Sequence, residues 1–521
     1  MSHFRSLAAL LLLTSAPLVA QVTSPELVWT LRDDGAKWIG YYVSMGNEGT
    51  QIFAHESNYA MAGVLLSRHD SDPPVPAWIV PTYPANPVSC DSARHVDAHV
   101  SLTATPTGTP NAYTLKLMTF TSQGADWTYT YPKASNQNAF VTISDDGQTI
   151  VAAIEDQQAM TREILVFDAL SPVPKAIYVL PGDVLWSFTV SGNGERAIAA
   201  LGTKAHVFDV ATGTVFIVIP FGYSLSNVSL ALSADASLLV HGEHFAGRLR
   251  AFTWLGENYS HAFYYWPQGS NPNTAIASIA ISDDNSTVAF GVNEAYPSTK
   301  VQTEAFDVAS QLMTMSETVS SDGAYQNSCR DVAISADGAR FAVAQFGDEP
   351  DLVAEVRIFD RDNNAPLYSL NLPGSAFNVD ISPDGRWVVA GSKGVHANVS
   401  GSGGRYDLIH LGGSDLRLRG TPSLGHDVSF EMHGPPGSTG TLLLSPRPLS
   451  PPLTLGVGTL YLDPALLWIV PVGQLAGDGL VTHPFRVPVN PSLVGFSAYV
   501  QGLTSTPQAL TQDWIKVTLL P

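Results

Sequence analysis

His95, Asp97 and His99 alternate within five residues. On a strand, alternate side chains share one face, and two imidazoles with a carboxylate form a ligand set for zinc or iron. Same-side residues on a strand lie nearly ~7 Å apart, so the three need help to reach one ion. The competing reading of His95, Asp97 and His99 is a polar interface between neighbouring elements. Asp331 and Asp380 also lie in alternating apolar stretches, where carboxylates can face a common space. A pair of them does acid–base work at a separation of about 5–9 Å, which sequence spacing alone does not set. The doublets Asp145-Asp146 and Asp283-Asp284 offer oxygens to calcium, but they lack the alternating ligands and distal Glu of a calcium loop. Turn formation is the preferred reading there. Tyr259 to Trp266 is dense in rings that can stack on sugars or peptides, or pack between elements. There is no Gly-x-Ser-x-Gly elbow for a serine nucleophile and no Gly-Lys-Ser/Thr phosphate loop. No cofactor is expected.

The elements that must position these residues repeat. The phrases Ser144-Asp145-Asp146-Gly147, Ser191-Gly192-Asn193-Gly194, Ser233-Ala234-Asp235-Ala236, Ser282-Asp283-Asp284-Asn285, Ser335-Ala336-Asp337-Gly338 and Ser382-Pro383-Asp384-Gly385 recur about every 48 residues, a period typical of repeat arrays and propellers. Apolar residues sit one and three places before each Ser, such as Val141 and Ile143 or Val379 and Ile381. That period-two pattern predicts a strand entering a tight turn. A second strand follows, then a third ending in Phe-Asp (Phe167-Asp168, Phe208-Asp209, Phe306-Asp307, Phe359-Asp360), then an aromatic-rich fourth that usually closes on Pro. Four strands per repeat describe a propeller blade. Two weaker units precede these, opening near Tyr41 and near His95. The last unit lacks its fourth strand, and Leu27-Val28-Trp29-Thr30-Leu31 is expected to supply it and close the ring.

The 521 residues carry 26 Lys+Arg against 46 Asp+Glu, a net charge of −20. Nucleic-acid and anionic-membrane binders need a basic face, so neither is expected. Only 14% of residues are charged, with 43 Gly and 36 Pro, which suits many short strands and turns. No stretch after the N-terminal segment is long and apolar enough for a membrane-spanning helix. Residues 1–20, with Arg5, the apolar run Leu7 to Leu13, Pro17 and Ala20, have the form of a secretory signal peptide. An exported chain meets an oxidising compartment, where Cys90 and Cys329 either bridge or stay as separate thiols. Beyond Gly412-Gly413 the composition shifts to Pro, Leu and Gly, with short strands such as Val428 to Met432 and Trp514 to Leu519. This predicts an Ig-like β-sandwich over 420–521.

The Ser-x-Asp-Gly repeats resemble the bacterial exported β-propellers of WD40-like and YVTN-like type, over about residues 25–413. The phrases Gly434-Pro435-Pro436-Gly437, Leu460-Tyr461-Leu462-Asp463-Pro464 and Pro491-Ser492-Leu493-Val494-Gly495 resemble a C-terminal module of planctomycete-like exported proteins. The expected fold is therefore all-β: an eight-bladed, alternatively seven-bladed, β-propeller followed by a β-sandwich. The expected function is a secreted, periplasmic or cell-surface protein that binds an extracellular protein or polysaccharide without catalysis. The alternatives are a propeller hydrolase or lyase with a metal at the channel mouth, and a structural component of a surface layer.

Overall fold

The computed structural model describes residues 25–519, apart from 34–38, 58–62, 69–73, 81–84, 136–138, 157–158, 160, 182–184, 221–228, 244–246, 268–273, 295–299, 322–324, 349–352, 402, 413–415, 420–421, 477–478 and 507. The signal-like segment 1–20 lies outside the described residues. The chain is all-β, and the helices among the described residues are the single turns Pro464–Leu466 and Pro491–Leu493. By contacts it divides into two compact units, one of residues 32–66 and 76–408, the other of 1–31, 67–75 and 409–521.

The larger unit is propeller-like, built from consecutive four-stranded antiparallel sheets. Their opening strands, among the described residues, are Ile39–Gly46, Asn86–Ser92, Phe140–Ile143, Leu185–Val190, Leu230–Leu232, Thr274–Ile281, Cys329–Ile334 and Ala376–Ile381. Each opening strand packs beside the next, and Ala376–Ile381 packs beside Ile39–Gly46, so the series closes on itself. Side-chain acceptors fasten that seam. Asn378 Oδ1 accepts the Val43 N–H at 2.6 Å, and Asp380 Oδ2 accepts the Met45 N–H at 2.7 Å. The sheet begun by Ala376–Ile381 takes Glu26–Asp33 as its fourth strand, next to Gly404–His410.

The recurring turn explains why six opening strands end alike. In each, the Ser hydroxyl donates to the Asp or Asn two residues on, at 2.5–2.8 Å. The same oxygen accepts the N–H five residues on, at 3.0–3.1 Å. All six Ser residues are fully buried. The fourth turn residue is left-handed, with φ between +59° and +71°, which suits Gly and is tolerated by Asn285 and Ala236. Successive turns are tied together. The N–H groups of His95, Asp145, Asn193 and Ala336 donate to the carbonyls of Asp145, Gly192, Ala234 and Pro383.

Apolar side chains fill the gaps between sheets rather than one central core. Val100, Leu117, Val141, Ile150 and Phe167 form one such layer between the second and third sheets. Val151, Val166, Phe188 and Phe208 form the next. The Phe of each Phe-Asp phrase is buried in a layer of this kind, which is why that phrase recurs. In the smaller unit, Leu416–Arg419, Asp427–His433 and Leu480–Arg486 form one sheet. Trp468–Gln474, Thr439–Ser445, Ser497–Ser505 and Gln508–Thr518 form another. Phe430, Met432, Leu442, Val500 and Ile515 from both sheets share one apolar cluster.

Candidate functional site

The segment 93–98 is a bend between Asn86–Ser92 and His99–Pro106, not the strand expected for His95, Asp97 and His99. Ala93 takes the first place of the recurring turn, and its N–H bonds the Ala98 carbonyl at 2.8 Å. The alternation that put three ligands on one face is therefore lost. The His95 ring meets Glu48 Oε1 at 2.8 Å in the open. His99 is fully buried, with Nδ1 on Ser92 Oγ at 2.7 Å and Nε2 on Gln51 Oε1 at 3.1 Å. Asp97 reaches His99 Nε2 at 3.6 Å and accepts the Ser122 N–H at 2.8 Å. Burial works to raise the Asp97 pKa, but the hydrogen bonds from His99 and Ser122 prevail and hold it low. Asp97 and His99 are thus brought together, and His95 is turned to Glu48. Among the described residues, no three His, Cys, Asp or Glu side chains are grouped to hold a metal ion.

The same bend carries Arg94, whose guanidinium crosses the ring. Nη1 pairs with Asp283 Oδ1 at 2.7 Å and Nη2 donates to the Ile334 carbonyl at 2.8 Å. Arg94 belongs to the second sheet, Asp283 to the turn of the sixth and Ile334 to the seventh. One side chain therefore bars the space enclosed by the opening strands at the turn end. The Asp doublets serve these turns. Asp146 and Asp284 receive the Ser hydroxyls and Asp283 receives Arg94.

The opening-strand carboxylates are latches. Asp91 Oδ2 accepts from Thr142 Oγ1 at 2.7 Å and from the Ile143 N–H at 3.0 Å. Asp331 Oδ2 accepts the Val379 N–H at 3.1 Å and is held by Asn378 Nδ2. Asp380 holds Met45. Each joins its sheet to the following one. The three residues are half-buried, and the protein packed about their carboxyls raises all three pKa values, Asp91 to about 6 and Asp331 to about 7. The charge of Asp380 adds to the rise at Asp91 and Asp331, while hydrogen bonds oppose it.

At the other end of the opening strands a row of β-bulges appears. The pairing register skips one residue at Tyr41, Val88, Trp186, Ala277, Arg330 and Phe377. Trp186, Ala277, Arg330 and Phe377 each stand five places before the turn Ser. A bulge re-aims a side chain and is common beside binding sites. A recess of about 240 Å³ lies at this level, lined by Trp186, Ser187, Ser229, Ser278 and Arg330 among others, from four consecutive sheets. Arg330 is exposed, so this end meets solvent. Its guanidinium lies 5.5 Å from the Phe346 ring centre. From there half-buried rings run on: Phe346 to Phe377 at 5.5 Å, Phe377 stacked on Tyr41 at 4.9 Å, Tyr41 to Tyr42 at 4.8 Å. Among the described residues, Arg330 makes no ion pair or hydrogen bond.

The ring-rich segment Tyr259 to Trp266 divides. Tyr259 and Tyr265 are buried between sheets. Trp266 is exposed, and Arg248 stands 4.4 Å above the Tyr264 ring. Cys90 and Cys329 are separate thiols, and burial raises the pKa of both. No family model matches the chain, and no curated protein matches it. The bulge row was the feature not singled out from sequence. Its signal is a constant offset ahead of the turn Ser, masked by the variety of residues at that place.

Proposed function

We propose that the chain is an exported binding protein, an eight-bladed β-propeller with a C-terminal Ig-like sandwich, which holds a partner molecule at the bulged end of its channel. The observation that carries the reading is the bulge row. It sets Tyr41, Trp186, Arg330 and Phe377 around an end open to solvent, while Arg94 bars the other. Flat rings and one cation favour recognition of a partner by stacking and ion pairing. The groups singled out for chemistry are engaged: Asp331 and Asp380 accept backbone N–H groups, His95 meets Glu48, and His99 is buried with its ring nitrogens on Ser92 and Gln51. Export agrees with the signal-like residues 1–20, and the sandwich would serve as a spacer or attachment module.

The test is a fluorescence titration of the full chain with a panel of soluble oligosaccharides and peptides. At least one ligand should give a saturable change, and the double variant Tyr41→Ala/Phe377→Ala should weaken it at least tenfold. Binding that ignores this variant, or no saturable ligand in the panel, would overturn the reading.

A further inference from the structure

We propose that the bulged mouth binds the terminal residue of an acidic saccharide, a sugar carrying a carboxylate. The proposal rests on the reading of that mouth as a binding recess. Three features select the ligand. The first is the ledge of Phe346, Phe377 and Tyr41, whose half-buried faces match the C–H face of a pyranose ring. The second is Arg330 at the head of the ledge. It presents a fork of donors with no acceptor among the described residues, in a chain that carries 46 acidic residues. A carboxylate is the acceptor that fits such a fork in bidentate fashion. The third is the polar lining of the recess: Ser187 offers its hydroxyl there, while Ser229 Oγ donates to the Ile276 carbonyl and Ser278 Oγ accepts the Val332 N–H, so these two offer a sugar only their remaining lone pairs.

Charge and size agree with this choice. Burial raises the pKa of the neighbouring Asp331 to about 7, so this carboxyl offsets the cation at the mouth less than an ordinary aspartate would. The recess of about 240 Å³ is smaller than the ~300–1,000 Å³ typical of drug-sized ligands, and suits one sugar residue with the rest of the chain outside. A peptide strand is disfavoured because it would need free backbone groups to pair with. The N–H groups of Val43, Met45, Ile143, Val332 and Val379 are already taken by side chains of neighbouring sheets.

The experiment is calorimetric titration of the full chain with trigalacturonate, with its methyl ester, and with an uncharged-side-chain pentapeptide bearing a free C-terminal carboxylate. Trigalacturonate should bind with one saturable site. Arg330→Ala should weaken it at least tenfold while leaving the weaker binding of the ester unchanged. Phe377→Ala should weaken both sugars. An unchanged melting temperature of Arg330→Ala shows that the loss is not misfolding, since this side chain makes no ion pair within the described fold. Undiminished trigalacturonate binding in Arg330→Ala overturns the assignment. So does binding of the pentapeptide alone. If another panel ligand depends on Tyr41 and Phe377 while trigalacturonate does not bind, the saccharide inference falls and the recess stands. If no ligand depends on them, both fall.

Discussion

Asp331 shows how position changes the behaviour of a single residue. An ordinary aspartate titrates near ~3.9, whereas burial in the ring carries Asp331 to about 7. The folded chain therefore holds this proton more tightly than the unfolded chain does. The stabilisation is complete below the unfolded value and is lost as pH rises towards 7, at up to about 1.4 kcal/mol per pH unit for one proton. Asp91, raised to about 6, acts in the same direction. Asp331→Asn keeps an acceptor for the Val379 N–H and removes the titration. Urea midpoints between pH 4.5 and 7.5 should fall with pH in the natural chain and flatten in the variant. Equal slopes would show that the group titrates normally. The sequence placed Asp331 and Asp380 on opening strands, but their burial and their use as latches depend on the adjoining sheet.

At the scale of the element, the recurring turn is a closed hydrogen-bond unit rather than a loop that happens to be polar. Ser382 Oγ serves Asp384 and the N–H groups of Arg386 and Trp387 at once. Ser382→Ala leaves the Trp387 N–H without that acceptor, and should cost about 1–3 kcal/mol by chemical denaturation. Asp384→Asn should cost less, because Asn193 performs the same role in the fourth sheet at 2.7 Å. Equal losses in the two variants would mean that the carboxylate charge, and not the hydrogen-bond geometry, sustains the turn. This unit was legible in the sequence because all of its members lie within six residues. The bend at 93–98 was not, because Ala93 replaces the Ser and the alternation of His95, Asp97 and His99 imitates a strand.

At the scale of the molecule, the series of sheets depends on its seam. The bonds from Val43 to Asn378 and from Met45 to Asp380 join parts of the chain more than three hundred residues apart. Asn378→Ala/Asp380→Ala leaves two inner-wall N–H groups without acceptors. It should lower stability by about 2–6 kcal/mol, and deuterium uptake should rise in both Ile39–Gly46 and Ala376–Ile381. Exchange confined to Ala376–Ile381 would show that the seam is not a mutual support.

The sequence by itself determined the period and the strands that flank the six Ser turns, because alternation and turn chemistry act over a few residues; it misplaced the opening strand of the second sheet, which is Asn86–Ser92 and not the stretch from His95. It marked the Phe-Asp ends of four third strands, and the structure places each of those Phe residues in a layer between sheets. The tertiary structure alone decided which side chains meet across the ring. Arg94 finds Asp283 at a distance of 189 residues, and Arg330 faces the Phe346 ring with no ion pair or hydrogen bond among the described residues. Such pairings follow from how sheets close around a common space, and no local pattern encodes that closure.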